Sequence, residues 1–396
     1  MPSGRYAGTP KRELNVLLFS PLRGLDSQSG DLSYTESLLA EPPPGVTYTT
    51  YLQALAEGSL RVRGRRRKHG PQRLVDAFIL LFRVLESSLS GIVIYKEPMW
   101  FVSVDGRFDL VHSHLFSIVQ VGPKVPVVSS SGMPLSVLYQ ERERWGGPRR
   151  WIADVWRRAT TWLFRGHTPG LLCQPPDLLT VYTEEYARQV GGRHHCDVQV
   201  LGQYLPDQPR PSTQRPYGPV RLGFVGGDFL RKGGDLALEA VRLLRQRGFP
   251  AELVVVSADP MAPELVGQSG LNYFAPGASH AEVVDVILPG LDLLMLPSRA
   301  DCGAPVTVME ALRAGVPVLV ADGRWLDPRL AAPAAIVCAR DPDSIATAIE
   351  RHERQLLDGE LGRSALRLFQ AEFSAATQKN RYRDMYDLVL SRWGRA

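Results

Sequence analysis

Short apolar runs bounded by glycine, proline or polar residues recur along the chain: NVLLFSP at 15–21, FDLVHSH at 108–114, VPVVSSS at 125–131, LLTVYT at 178–183, VQVL at 198–201, VRLGFVG at 220–226, AELVVVS at 251–257, LNYF at 271–274, LDLLML at 291–296, VPVLVA at 316–321 and AIVC at 335–338. Runs that are apolar throughout, rather than alternating, suit parallel strands covered on both faces. Helical patterns fall between them. One is expected to start near Ser33, another covers 235–247, and others run from 341 onward and over 375–393. Between 297 and 317, Pro305 suits a first helical turn, Val308, Leu312 and Gly315 recur at helical spacing, and Gly315 followed by Pro317 supplies a stop. Strands and helices in alternation predict an α/β protein.

At 396 residues the chain exceeds what one hydrophobic core usually holds, so two domains are expected. The stretch QYLPDQPRPSTQRPYGP at 203–219 has five prolines and little apolar content, which marks it as the linker. It separates a domain over 1–210 from one over 220–374, and a closing helical segment occupies 375–396.

Charge narrows the partners. A net charge of +5 and a pI near 9.0 favour anionic ones. Part of the excess is local: six cations fall in the eight positions from Arg61 to Lys68, and RRWIADVWRRATTWLFR at 149–165 sets Trp151, Trp156 and Trp162 among five arginines. A solvated loop beside a buried helix explains the first and a core stripe the second. The alternative for the first is a collar that meets anionic lipid or an acidic acceptor, and for the second an interfacial helix at a membrane surface. The basic run lacks aromatics for base stacking, and no nucleic-acid motif occurs, so nucleic acid is not an expected partner. Cys173, Cys196, Cys302 and Cys338 form no Cys-x-x-Cys pair and are expected to be reduced. The polar N-terminus resembles neither a signal nor a transit peptide, and the apolar stretch at 77–85 is broken by Arg83 and too short to cross a bilayer. A cytoplasmic protein is expected, with peripheral attachment at the inner membrane face as the second option.

Two stretches carry chemistry. FVGGDFLRKGGD at 224–235 reads as a strand end, a loop with four glycines and a helix start. Gly226 and Gly227 let backbone amides approach a phosphate, the helix start adds partial positive charge, and Arg231 and Lys232 add two full ones. The pattern is neither a Walker loop nor Gly-x-Gly-x-x-Gly. Breaking a bond between a sugar and a diphosphate leaves an anion that fixed cations stabilise without a metal or other cofactor. The second stretch, DCGAPVTVME, ends in Glu310 on a helix that follows a buried strand, the side where open parallel sheets bind ligands. A carboxylate there accepts hydrogen bonds from ribose hydroxyls. The only close Asp-x-Asp match, Asp341 to Asp343, opens a helix and is better explained as a cap than as a metal site. In the first half, Gly30 follows the first strand, and His112, His114 and Ser130 end later strands where a cleft would lie. Contact with a sugar or acceptor and a plain structural role both remain open for these four.

Taken together, FVGGDFLRKGGDLALEAV and LPSRADCGAPVTVMEALRAGVPV resemble the retaining, nucleotide-sugar-dependent glycosyltransferases of family four. The resemblance implies the GT-B architecture: two Rossmann-like domains facing a central cleft, with a C-terminal helix crossing back to the first. It implies that Arg231 and Lys232 act on the departing diphosphate, that Glu310 holds the ribose, and that Asp301, Cys302, Gly303, Ala304, Pro305 and Val306 line the donor site. In that family an acid eight positions before the glutamate contacts the sugar. Here Cys302 stands at that spacing, and Asp301 is one residue too far. A histidine that commonly follows the strand at 125–131 is replaced by Ser129, Ser130 and Ser131.

The function expected is transfer of a sugar from a nucleotide-sugar donor to a sugar, lipid-linked or small-molecule acceptor, with retention and without a metal. The alternative is a catalytically weak homologue that binds a nucleotide sugar or regulates a partner, which the two departures favour. A nicotinamide-dependent dehydrogenase would need a glycine fingerprint in the first βα loop, and this chain lacks one.

Overall fold

The computed structural model describes residues 12–20, 30–63, 100–114, 118–132, 176–190, 196–207, 218–259, 273–274, 277–323, 325–330 and 333–394. The first half runs β1 (Leu14–Phe19), α1 (Gly30–Ala40), β2 (Val46–Thr50), α2 (Tyr51–Ala56), β3 (Leu60–Arg63), β4 (Trp100–Val104), β5 (Leu110–His114), β6 (Ile118–Gln120), β7 (Val127–Ser131), β8 (Leu178–Val181), α3 (Glu184–Val190) and β9 (Asp197–Val200). The second half runs β10 (Val220–Val225), α4 (Gly234–Gln246), β11 (Ala251–Val256), β12 (Tyr273–Phe274), β13 (Leu293–Leu296), α5 (Val306–Arg313), β14 (Val318–Ala321), β15 (Ala335–Cys338), α6 (Pro342–Leu357), α7 (Glu360–Glu372) and α8 (Ala375–Arg392).

These strands form two parallel six-stranded sheets, β2-β1-β5-β7-β8-β9 and β12-β11-β10-β13-β14-β15. The uniformly apolar runs become their buried centres: every residue of β5, β8, β13 and β14 is buried. A smaller sheet, β3-β4-β6, was not expected from the sequence. It takes Leu60–Arg63, the start of the basic run, as a strand rather than a loop, because Leu60 is buried and pairs antiparallel with Val104. The rest of that run and the tryptophan-rich segment at 149–165 lie outside the described residues.

Local chemistry sets the helix ends. Gly233, with φ near 82°, starts α4, and a Cβ there would sit 2.3 Å from the Pro297 carbonyl oxygen, so only glycine lets the two loops approach this closely. Along α4, Ala237, Leu238, Val241 and Leu244 face the sheet core at helical spacing. Asp341 caps α6, its side chain accepting the Ser344 N–H at 2.9 Å, as its Asp-Pro-Asp sequence suggests. Gly315 ends α5 with φ near 72°.

The last helix returns over the first sheet. Tyr382, Met385, Tyr386, Val389 and Leu390 of α8 share one apolar cluster with Leu14, Val16, Leu18, Tyr34 and Leu110. Arg383, almost fully buried, donates to the carbonyls of Arg12 (2.7 Å), Pro44 (2.9 Å) and Gly45 (3.0 Å), and its Nε donates to Asp387 (2.9 Å). The start of the expected linker is packed as well: Tyr204 is buried and donates to the Glu41 carbonyl at 2.7 Å, and Leu205 bridges to Ser374. Among the described residues no helix is long and apolar enough to cross a membrane. Cys196, Cys302 and Cys338 are free thiols, and Cys173 lies outside the described residues.

Candidate donor site

Strands β10 and β13 lie side by side in the second sheet, with Leu222 opposite Leu293, and the loops at their C-terminal ends meet. After β10, Gly226 N–H bonds to the Val256 carbonyl at 3.0 Å, and the chain turns at Asp228, whose backbone carbonyl accepts the Lys232 N–H at 2.9 Å and whose carboxylate accepts Arg231 Nε at 2.8 Å. After β13, Arg299 grips Asp235 through two 2.6 Å bonds, and its backbone N–H donates to the Arg231 carbonyl at 2.8 Å. Two parallel guanidinium–carboxylate bonds fix orientation as well as distance. The loop with the cations is therefore stapled to the loop that leads into α5.

Asp301 sits where the two loops meet. Lys232 Nζ donates to both of its oxygens, at 2.6 and 2.7 Å, and Arg231 Nη1 donates to Oδ1 at 3.3 Å and to the Ala300 carbonyl at 2.8 Å. Burial pushes the Asp301 carboxyl upward, but Lys232 and then Arg231 outweigh burial and hold it below its ordinary range. Burial drives the Lys232 ammonium down, and Arg231 adds to this against the pull of Asp301. The two cations, Arg231 and Lys232, face two carboxylates, Asp228 and Asp301, so the formal charges of the cluster balance, and the amides of the first turn of α4 beside it add partial positive charge.

The segment leading into α5 also touches the first half of the chain. Cys302 is buried, its Sγ 3.9 Å from Thr183 Oγ1, and a Cβ on Gly303 (φ near 73°) would meet Tyr182 Cβ at 2.8 Å. Leu179, Val181, Tyr182 and Tyr186 form one cluster with Ala300, Cys302 and Trp325. Burial pushes the Cys302 thiol up to about 12, so at neutral pH it carries no charge at the spacing where the resembled family keeps an acid. Ala304 is buried too, Pro305 precedes the first residue of α5, and Val306 opens that helix.

Glu310 lies in α5, its side chain only 5% exposed, and accepts a hydrogen bond from His280 Nε2 at 2.7 Å. The sequence did not single out His280. Ser279 before it signals a helical start, but nothing in the chain reports that this turn folds onto Glu310 from thirty residues upstream. Arg299, which holds the two loops together, was also missed.

In the first sheet, His112, His114 and Ser130 come together, all buried: Ser130 Oγ lies 3.2 Å from His112 Nε2 and 2.7 Å from His114 Nδ1. His112 Nδ1 is 2.6 Å from the Tyr386 hydroxyl of α8, and the Tyr34 ring lies tilted against His114 with centroids 4.2 Å apart. Gly30 is the first residue of α1. Among the described residues, no group of three His, Cys, Asp or Glu side chains gathers as a metal would require.

Residues 219–354 match the family described as glycosyl transferases group 1. Nearly the whole chain superposes on solved structures. Sucrose-phosphate synthase from Thermosynechococcus elongatus aligns over 96% of this chain and all of its own, at 14% identity and a TM-score of 0.62. The fold is GT-B. HepE from Anabaena, solved with UDP and glucose, aligns over 95% of this chain and all of its own at 11% identity and a TM-score of 0.56. A glycosyltransferase from Rickettsia africae aligns over 96% of this chain and 99% of its own at 11% identity and a TM-score of 0.54. No curated protein sequence matches the chain significantly.

Proposed function

We propose that this protein transfers a sugar from a nucleotide-sugar donor to an acceptor held on the first-domain side of the cleft. The observation that carries this is the stapled pair of loops at the ends of β10 and β13, which gathers two cations, Arg231 and Lys232, and the start of α4 ahead of the helix that carries Glu310. A diphosphate fits that charge, and Glu310 accepts the ribose hydroxyls. Gly226 and Gly227 allow the close approach of the phosphates, and the segment from Asp301 to Val306 faces the sugar. Cleavage of the sugar–diphosphate bond releases negative charge onto Arg231 and Lys232, which stabilise it most when it is largest. Transfer with retention follows from the resemblance to family four. The burial of His112, His114 and Ser130 together against Tyr386 of α8 favours a structural role for them over contact with the sugar or acceptor.

A thermal-shift screen of nucleotides and nucleotide sugars tests binding, because a ligand at 100 times its dissociation constant stabilises by about 2.7 kcal/mol. No shift with any member overturns the reading. Within the same screen, Glu310→Gln is expected to weaken donor affinity by roughly 1.5 to 3 kcal/mol, about 10- to 150-fold. The amide oxygen can still accept from His280, but its NH2 then faces hydroxyls that need an acceptor. Unchanged affinity in the folded variant would remove Glu310 from the site.

The second reading, a weak homologue that binds the nucleotide sugar for regulation, is favoured by the neutral Cys302 at the family's acidic position. Turnover separates the two: a regulator binds the donor and neither transfers nor hydrolyses it.

A further inference from the structure

Glu310 is a carboxylate on a helix whose neighbouring residues Val308, Met309, Ala311 and Leu312 are all buried and apolar. In such a setting an ionised carboxylate needs a donor, and the described residues supply one side-chain donor, His280 Nε2 on Oε1. That bond places the ring proton on Nε2. It leaves Oε2 without a protein partner among the described residues.

His280 is held in place from below. It opens a short turn, His280–Glu282, in which Ser279 Oγ accepts the Glu282 N–H at 3.1 Å, and the chain beyond it buries Val283, Ile287 and Leu288 in the core of the second domain. The imidazole itself stays 45% exposed, against 5% for the carboxylate it contacts. The histidine is thus a fixed outer partner for an inner carboxylate, on a different element from the one that carries it.

We propose that His280 is a positioning residue of the donor site: it occupies one oxygen of Glu310 and orients the other toward the ribose of a nucleoside diphosphate. This rests on the donor-site reading above. The orientation matters because a carboxylate free to rotate in an apolar surround must lose that freedom when the ribose arrives, whereas one already bonded on Oε1 does not.

The test is calorimetric titration of UDP, GDP and ADP into the native protein, continuing with whichever binds tightest, for His280→Ala, His280→Gln, Glu310→Ala and the double variant His280→Ala with Glu310→Ala, each first shown to be folded. His280→Ala is expected to weaken binding roughly 5- to 10-fold. His280→Gln, whose amide nitrogen comes close to the place of Nε2, is expected to restore most of it. The double variant should bind no more weakly than Glu310→Ala, because a positioning residue has nothing left to position. Native affinity in His280→Ala, or a further equal loss in the double variant, overturns the proposal and leaves the donor site standing. Native affinity in Glu310→Ala overturns both.

Discussion

Lys232→Ala is expected to lower the rate of donor turnover by about 100- to 1,000-fold, the loss typical when one fixed charge-stabilising group is removed from the centre where negative charge develops. The structure sharpens this expectation. Lys232 Nζ now bonds both oxygens of Asp301, so without donor its charge is already matched. Burial and Arg231 press its pKa down, and an additional anion next to it relieves that pressure. A leaving diphosphate is such an anion. Donor affinity should fall as well, but less than turnover, because the diphosphate carries more charge once the sugar bond has broken. Arg231→Ala should act in the same direction. Its guanidinium is shared among Asp228, the Ala300 carbonyl and Asp301, so its loss also loosens the two loops. The measurement is steady-state transfer or slow donor hydrolysis, with circular dichroism to show that each variant is folded. Native-like kinetics in both variants would mean that the glycine loop holds something other than a leaving diphosphate, and the mechanism proposed here would be withdrawn.

The second domain was legible in the chain because its central strands β13 and β14 are buried on both faces, so they read as continuous apolar runs, and because its loops carry marked residues. Gly233 and Gly234 start α4, Pro305 precedes α5, and Asp341 caps α6. The first domain was less legible. β2 is VTYTT, with only Val46 and Thr50 buried, and β4 and β6 belong to a small side sheet, so none shows the uninterrupted apolar run of a central strand. Pairing across the chain was not legible at all. Lys232 and Arg231 read from the sequence as cations awaiting an anion, whereas the fold supplies Asp301 from the next strand's loop. His280 and Arg299 do their work through partners thirty to sixty-four residues away in sequence, a separation that local periodicity does not encode.

His112 gives the other large effect, on stability rather than activity. Its ring is enclosed by Tyr34, Ser130 and Tyr386, where β5 meets α8, and burial, with the neighbouring His114 adding, pushes its pKa down to about 3. An unfolded histidine takes up its proton near pH 6.5. Between those two values the unfolded chain holds one proton more than the folded one, so stability rises with pH and is lost as pH falls. The slope is about 1.4 kcal/mol per pH unit below roughly pH 6, or about 2 kcal/mol between pH 6.5 and 4.5. Carboxylates elsewhere also titrate in this range, so the comparison must be with a variant that lacks only this proton site. His112→Asn keeps a polar atom near the place of Nδ1 for the Tyr386 hydroxyl and cannot be protonated. Urea unfolding of the native protein and of His112→Asn at pH 6.5, 5.5 and 4.5 should show the native protein losing stability faster toward acid, by that difference in slope, whatever the offset between the two at neutral pH. Parallel pH dependences would mean that His112 accepts its proton inside the fold, and that the contact between α8 and the first sheet opens readily enough to let water reach it.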